Sequence, residues 1–427
     1  MQLKRQQLFD GIFLNYIPTD KFKAGQIQLR FVMPMSADTA AKNALVFPVI
    51  LRGTEKYPSV LALRKRYEQL YASSVWSNVW KYGDSQVVVL NSSPLSQKYA
   101  IDDTDITSGI IDIMEEVILH PCTENGVFTE EYVESEKKRL IEKLRADINN
   151  KGRYAGKRCV EIMFDGDPYG IDECGSIGGI EKVCAKCLFE QYKKLISTAR
   201  IEIFAVGEFD EALLRNRFSA IFSKVERGEV YVPKTKPLSP KVDSVKTVYD
   251  HDSVSQGKLV LGFRTGCDRS AEDSHIFEVF NEIFGGSATS KLFMNVRERL
   301  SLCYYCSSRQ LLEKGAMLIS SGIEFANEKK AVDEITVQLE KMKSGDFTDG
   351  EIEDAKKGIR DDILRTEDST SNMAGWYFGR LIRGAEPLSI EESIARVESV
   401  TREQIVEKAQ NVTLDTYYFL CGKEETK

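Results

Sequence analysis

Histidine is scarce in this sequence, whose 427 residues contain only His120, His251 and His275. No two of them have the spacing of a catalytic or metal-binding pair, so a histidine-based active site is not predicted. No run approaches the roughly 18 consecutive apolar residues of a membrane span, which argues against membrane insertion. The first residues hold only a short apolar patch, broken by Asn15 and Pro18. They do not resemble a secretory signal, and we expect a cytoplasmic location.

An excess of positive charge is also missing. The formal net charge is −7 and lysine and arginine do not cluster, so we do not expect nucleic-acid binding. Nine cysteines are an odd number scattered along a long chain, which fits reduced thiols better than a disulfide framework. The length predicts two or three globular domains.

Two CxxC pairs are candidate zinc ligands, Cys184 with Cys187 and Cys303 with Cys306. A structural zinc ion would need four thiolates to converge. The first pair lies at a predicted helix start, and the second lies in a predicted strand, where residues three apart face opposite sides. We therefore predict buried or incidental thiols at both places and no zinc site.

Internal repetition organises the chain. FTEEYVESEKKRLIEKL and FTDGEIEDAKKGIRDDI both begin with Phe-Thr, carry acids in the first turn and space apolar residues at helical intervals. The matched segments are 128–144 with 347–363, 177–207 with 390–422 and, more loosely, 27–33 with 258–264. Such long matches predict a duplication, with two similar domains, rather than a solenoid of short repeats.

The expected domains are residues 1–228 and 246–427, joined by a linker at 229–245. Prolines among charged residues in 225–245 favour an extended, exposed segment. Helices and strands mix within each half without regular alternation, which predicts an α+β fold with an antiparallel sheet packed against helices. The predicted strands include 27–33, 86–91, 201–206, 258–263, 315–323 and 416–421.

Several motifs in a specific order support a family resemblance. They are DGIFLNYIP (10–18), RGTEK (52–56), DPYG (167–170), VGEFD (206–210), IFGGSATSKLF (283–293) and VRERLSLCY (296–304). In these motifs the chain resembles the insulinase and pitrilysin superfamily, which includes mitochondrial processing peptidase. The resemblance implies two homologous domains of the metalloprotease, LuxS-like fold. Within the superfamily the chain looks closest to bacterial members without zinc ligands that are associated with modification of elongation factor P.

Active members of that superfamily carry HxxEH just before an RGT-like turn. On a helix the residues at i and i+4 share a face, so two imidazoles can hold one zinc ion while the glutamate activates water. Here those positions align with Ala44, Phe47 and Pro48. None of the three side chains can bind zinc or accept a proton. We also expect Pro48 to disturb the helix at Phe47, at about 3 kcal/mol if it lies in a helix interior.

The third zinc ligand of the superfamily is a glutamate on a later acidic helix. The alignment places it at Lys143, while Glu136, two turns earlier, remains acidic. An alternative register would place Glu142 there, but this residue alone would not hold zinc. The resemblance therefore implies a degenerate metal site.

An arginine and a tyrosine seven residues apart bind the substrate backbone in the superfamily. Arg297 and Tyr304 match both residue types and the spacing. A guanidinium offers five donors and a tyrosine offers a hydroxyl, which suits the carbonyls of an extended peptide. The resemblance implies that these two residues bind substrate.

The resulting expectation is a non-catalytic subunit of a two-component zinc peptidase. It would bind a peptide or unfolded polypeptide in a closed chamber, hold no cofactor itself, and rely on a homologous HxxEH subunit for zinc. The alternative is a peptide-binding or scaffolding homodimer without proteolysis. A third possibility is an active metallohydrolase with unfamiliar ligands, which stoichiometric zinc in the purified chain would support.

Overall fold

The computed structural model describes residues 2–422, and these form two compact units. The first unit comprises the chain up to Leu144 together with Ile171–Lys234 and Thr366–Pro387. The second comprises Arg145–Gly170, Thr235–Arg365 and the chain from Leu388. Each unit is therefore discontinuous in sequence. The domain boundaries at 228 and 246 stay a prediction.

Strands fall into one sheet in each unit and one short hairpin. The strands are β1 Lys4–Phe9, β2 Ile12–Pro18, β3 Gln26–Pro34, β4 Val75–Tyr82, β5 Ser85–Ser92, β6 Thr123–Glu124, β7 Val127–Phe128, β8 Arg200–Gly207, β9 Lys246–Asp252, β10 Gly257–Arg264, β11 Cys303–Leu311, β12 Ala316–Ile323 and β13 Thr413–Gly422. Each of the six predicted strands coincides with one of these elements within a few residues.

Helices make up most of the remaining structure. The α-helices are α1 Ala40–Ile50, α2 Val60–Gln69, α3 Ile106–Leu119, α4 Glu130–Asn149, α5 Lys151–Met163, α6 Ile177–Glu181, α7 Ala185–Thr198, α8 Glu211–Phe222, α9 Ser274–Asn281, α10 Glu328–Ser344, α11 Asp349–Leu364, α12 Thr370–Leu381, α13 Ile390–Glu398 and α14 Arg402–Gln410. Segments of 3₁₀ helix occupy Gln97–Tyr99, Pro168–Gly170, Leu312–Lys314, Phe325–Asn327 and Arg365–Asp368, and π-helix occupies Glu282–Gly286 and Leu292–Arg299. Within residues 2–422 no helix combines the length and apolar character needed to cross a bilayer.

The two sheets have the same internal order. In the first unit the strands lie in the order β1-β2-β8-β3-β5-β4, and in the second β9-β13-β10-β12-β11. Each sheet has one parallel pair, β2 with β8 and β9 with β13, and its other pairs are antiparallel. Apart from the extra edge strand β1, the sheets correspond strand for strand. This correspondence supports the predicted duplication and the α+β class. The predicted sheets were antiparallel, and the one parallel pair in each sheet departs from that prediction.

Two corresponding helices pack with a sheet from the opposite half of the sequence. Helix α5 follows α4, yet its Cys159 and Met163 belong to a core cluster with Val260 and Tyr418 of the second sheet. Helix α12 follows α11, yet it packs in the first unit through a cluster formed by Met373, Tyr377 and Phe378 with Val87 and Phe204. Each large apolar side chain buried in this way contributes about 1.5–3 kcal/mol. The sequence halves are thus linked by a reciprocal exchange of helices.

Candidate functional site

Helix α1 in the first unit holds the positions that align with the HxxEH residues. Ala44 and Phe47 are buried, and the Phe47 ring lies 5.1 Å from the Phe31 ring, measured between centroids. A methyl group and a phenyl ring offer no lone pair to a metal ion, and neither can remove a proton from water. The residues present therefore do not fit a zinc ion, and the position predicted for the catalytic base is filled by apolar packing.

Pro48 does not interrupt α1. The helix runs from Ala40 to Ile50 with the proline inside it, and the Leu51 N–H donates to the Phe47 carbonyl at 2.9 Å. The expected disturbance of the helix at Phe47 is therefore wrong. All residues of α1 except Lys42 and Pro48 are buried, and tertiary packing of that extent outweighs the single hydrogen bond that proline cannot make.

The turn after α1 keeps its close packing. Gly53 donates its N–H to the Ile50 carbonyl at 3.0 Å, and Thr54 donates to the Tyr57 carbonyl at 2.9 Å. A Cβ at residue 53 would lie 2.9 Å from the backbone carbon of Pro58, so glycine is required by close backbone approach. This turn fixes the end of α1 independently of any metal.

The position of the third ligand lies on α4. Lys143 and the alternative Glu142 are both exposed, whereas Glu136 is 4% exposed and lies near Arg52. Within residues 2–422 no three His, Cys, Asp or Glu side chains form a group that could hold a metal ion. The acidic residue that α4 keeps inside the fold is thus paired with an arginine of the turn.

Arg297 lies in the second unit, in the π-helical segment Leu292–Arg299. The Leu300 N–H donates to the Asn295 carbonyl at 3.2 Å, an i→i−5 bond. The Arg297 guanidinium carbon lies 4.5 Å from the Phe293 ring centroid, and its Nε lies 3.5 Å from Oε1 of Glu298. Its side chain is 38% exposed. Stacking on one ring orients a charged group that still reaches solvent, and π-helical turns occur frequently at functional sites.

Tyr304 occupies a β-bulge at the start of β11. Cys303 pairs with Ile323 and Tyr305 with Gly322, so Tyr304 has no partner of its own on β12. The extra residue turns the strand locally, and Tyr304 is 75% exposed. Just before it, Ser301 has a φ of 49°, a left-handed conformation that is uncommon for serine. Arg297 and Tyr304 therefore flank a short stretch of unusual backbone.

The same bulge changes the position of the second CxxC pair. Cys303 pairs with Ile323 and Cys306 with Ser321, two residues apart on β12, so both cysteines face the same side of the sheet. The prediction that they face opposite sides is wrong, because it assumed a regular strand. The sequence shows the CxxC motif but not that the two side chains share a face, because the bulge depends on pairing with β12.

The two thiols affect each other. Hydrogen bonding from the Cys306 thiol lowers the pKa of Cys303 to about 7, and hydrogen bonding from Ser321 and the positive charge of Arg297 act in the same direction. The hydrogen bond with Cys303, together with burial, raises the pKa of Cys306. Cys303 is partly exposed and Cys306 is 2% exposed. A partly exposed thiol of lowered pKa therefore lies near a buried thiol of raised pKa.

The first CxxC pair caps a helix. It lies at the start of α7, in agreement with the predicted helix start. Cys184 is the N-cap of α7, and its sulfur accepts the Cys187 N–H at 3.3 Å, while the Cys184 N–H donates to the Cys187 sulfur at 2.9 Å. The Cys187 thiol lowers the pKa of Cys184 through a hydrogen bond. These contacts account for the pair as a reciprocal helix cap.

The chain is similar in sequence and structure to peptidase homologues. The family profile described as "Peptidase M16 inactive domain" matches residues 185–359. The chain is 32% identical to the "Probable inactive metalloprotease YmfF" of Bacillus subtilis over 97% of this chain and 96% of that protein. It is 29% identical to the "Uncharacterized zinc protease YmxG" of the same organism over 38% and 40% of the two chains. A crystal structure of a conserved protein from Enterococcus faecalis covers both chains completely, with 27% identity and a TM-score of 0.90.

Two corresponding sheets packed against helices, with no group of three His, Cys, Asp or Glu side chains among residues 2–422 that could hold a metal ion, fit a peptidase scaffold without its metal site. The chain belongs to the M16 peptidase family, in which its full-length relative is named inactive. The family resemblance predicted from the motifs is therefore confirmed, and so is the prediction of an inactive metallopeptidase homologue.

Proposed function

We propose that this chain is the non-catalytic subunit of a two-chain zinc peptidase, in which it binds and orients a peptide while a homologous HxxEH subunit supplies zinc. The observation that carries the proposal is the exposure of Tyr304 at a bulge that follows the stacked Arg297 in the chain, while the α1 positions hold Ala44, Phe47 and Pro48. The side chains that could bind a peptide, Arg297 and Tyr304, reach solvent, whereas the α1 positions hold no group that could cleave it.

The edge position of β11 supports binding of an extended peptide. Within the second sheet this strand pairs with β12 on one side and ends the sheet on the other. Edge strands can add an extended segment through backbone hydrogen bonds. Tyr304 lies at the start of this edge, and a hydroxyl and a guanidinium there can donate to peptide carbonyls. Substrate contacts of this kind orient a peptide without a nucleophile in the same chain.

The Bacillus subtilis relatives support a partner. That organism has both a relative named inactive and a relative named a zinc protease, so one organism encodes homologues of the two kinds. The partner of the present chain would be such a zinc-bearing homologue. A role in elongation factor P modification and a cytoplasmic location remain part of the proposal.

The test uses the full chain expressed with an HxxEH homologue from its own genome. Complex formation is measured by size-exclusion chromatography, and cleavage is measured on a mixture of unstructured peptides. Arg297→Ala is expected to reduce cleavage about 100-fold or more, the loss typical of a lost oxyanion-type donor, while the complex still assembles. Arg299→Ala is the matched control, because Arg299 lies on the same segment but pairs with Glu334 at 3.2 Å.

Two results would contradict the proposal. One is full cleavage activity in the Arg297→Ala complex. The other is a stable homodimer as the sole species after co-expression, with peptide bound and released uncut, which would instead support a scaffolding protein.

A further inference from the structure

The Cys303–Cys306 pair lies on the edge strand β11, and its backbone spacing differs from that of an ordinary CxxC in a strand. In a regular strand, residues three apart are separated by about 10 Å and face opposite sides. Here the cysteines lie opposite Ile323 and Ser321, two residues apart on β12. Their Cα atoms are therefore about 6.6 Å apart, within the roughly 4.4–6.8 Å range that a disulfide can span. The bulge at Tyr304 makes this pair geometrically competent for a disulfide.

The surroundings give the two thiols different chemical roles. Cys303 is partly exposed, and the positive charge of Arg297 favours its thiolate. Cys306 is buried, and its interaction with Cys303 raises its own pKa. An accessible thiolate next to a protected thiol is the arrangement that lets the first react with an oxidant and the second resolve the product.

We propose that Cys303 and Cys306 form a reversible oxidation site whose oxidant is a hydroperoxide. The Cys303 thiolate attacks the distal peroxide oxygen, the O–O bond breaks, and Cys303 becomes a sulfenic acid as the other oxygen leaves as water or alcohol after taking up a proton. The Cys306 sulfur then attacks the Cys303 sulfur and expels hydroxide, which takes the Cys306 proton to form water. The net change is two thiols and one hydroperoxide to one disulfide, water and an alcohol or second water.

The site would also alter peptide binding, a consequence that rests on the proposed function. Tyr304 lies between the two cysteines in sequence, so a disulfide would fix the backbone that presents its side chain. Oxidation also removes the negative charge of the thiolate, which interacts with the positive charge of Arg297. Both changes act on the two residues proposed to bind peptide.

Peptide mapping after treatment with one equivalent of hydrogen peroxide tests the site. Trypsin releases Leu300–Arg309, which contains Cys303 and Cys306 as its only cysteines. We expect this peptide to lose two hydrogen atoms in more than half of the molecules and to regain them with dithiothreitol. The experiment uses a chain that carries Cys184→Ser and Cys187→Ser, which removes the other CxxC pair. Serine is also a good N-cap, so α7 should be retained. Peptides with the buried Cys159 and Cys267 serve as internal controls and should stay reduced.

Single variants separate the two steps. Cys306→Ser should trap the sulfenic acid on Cys303, detected as an adduct with a cyclic 1,3-diketone. Cys303→Ser changes a partly exposed position and should leave Leu300–Arg309 unoxidised. The inference is overturned if Leu300–Arg309 remains reduced while other peptides oxidise, or if Cys303 reaches sulfinic acid without disulfide. Disulfide formation in a chain that binds no peptide in either state would support the oxidation site and contradict the proposed function.

Discussion

The Nη1 atom of Arg52 lies 3.7 Å from the buried Oε1 atom of Glu136 in the first unit. Arg52 belongs to the turn that ends α1, and Glu136 lies on α4, so the ion pair joins the two elements to which the family resemblance assigns the metal ligands. The residues at the predicted ligand positions cannot bind zinc, and the ion pair connects the turn after α1 with α4 without a metal ion. A buried carboxylate needs such a partner regardless of any metal.

Arg52→Ala should destabilise the protein. Glu136 would keep only Arg139, at 3.5 Å and 80% exposed, as an ion-pair partner in this part of the structure. Removing one partner of a fully buried pair costs about 3–5 kcal/mol, but Arg52 is partly exposed, so we expect about 1–2 kcal/mol. Urea denaturation provides the measurement. Arg139→Ala is the control, with an expected change below about 0.5 kcal/mol, and equal losses in the two variants would refute this role for Arg52.

Phe47→Ala should cost about 3–5 kcal/mol of unfolding free energy, because it leaves a cavity beside Phe31 in a closely packed core. Phe47→Leu should cost less, since most of the buried volume is retained. Thermal unfolding of the purified variants distinguishes the two. A small effect of Phe47→Ala would mean that the aligned position of the catalytic base is not part of the core.

Tyr304→Ala and Tyr305→Ala should separate binding from stability. Tyr304 is exposed at the bulge, so its loss should change stability by less than about 0.5 kcal/mol. Tyr305 is partly buried, and its ring covers Gly322, where an added Cβ would lie 2.6 Å from the ring. Its loss should cost about 2–4 kcal/mol. Fluorescence anisotropy with an unstructured peptide should show weaker binding for Tyr304→Ala despite its unchanged melting temperature; unchanged binding would argue against the role of Tyr304.

The rate of Cys303 alkylation by iodoacetamide should reach half of its maximum near pH 7. Its pKa is about 7 rather than the usual value near 9, and the thiolate is the reactive form. The rate should level off above pH 7, whereas that of Cys122, whose pKa is raised by burial, should still rise at pH 9. Because the folded pKa lies below the ordinary value, the thiolate adds stability that is complete above pH 9 and is lost as the pH falls through 7.

Arg297→Ala provides the matched variant for that measurement. It removes a positive charge that favours the Cys303 thiolate, so the pKa of Cys303 should rise and the alkylation midpoint should move to higher pH. An unchanged alkylation midpoint would show that Arg297 does not lower the pKa of Cys303.

Local patterns predicted much of the fold. The strands 201–206 and 258–263 fall inside β8 and β10, because alternation and buried apolar runs are set by neighbouring residues. The repeat of 128–144 at 347–363 corresponds to α4 and α11, since similar sequences form similar elements. The exchange of α5 and α12 between sheets had no local signal, because it depends on which surface each helix finds after folding.

By itself the sequence determined that Ala44, Phe47 and Pro48 precede the RGT-like turn where the family resemblance predicts zinc ligands, and that Arg297 and Tyr304 are seven residues apart. These facts need only residue identity and spacing. The tertiary structure decided that α1 continues through Pro48, because the packing around the helix outweighs one missing hydrogen bond. It also decided that Tyr304 lies at a bulge with Cys303 and Cys306 on one face, because strand register depends on a partner strand distant in sequence.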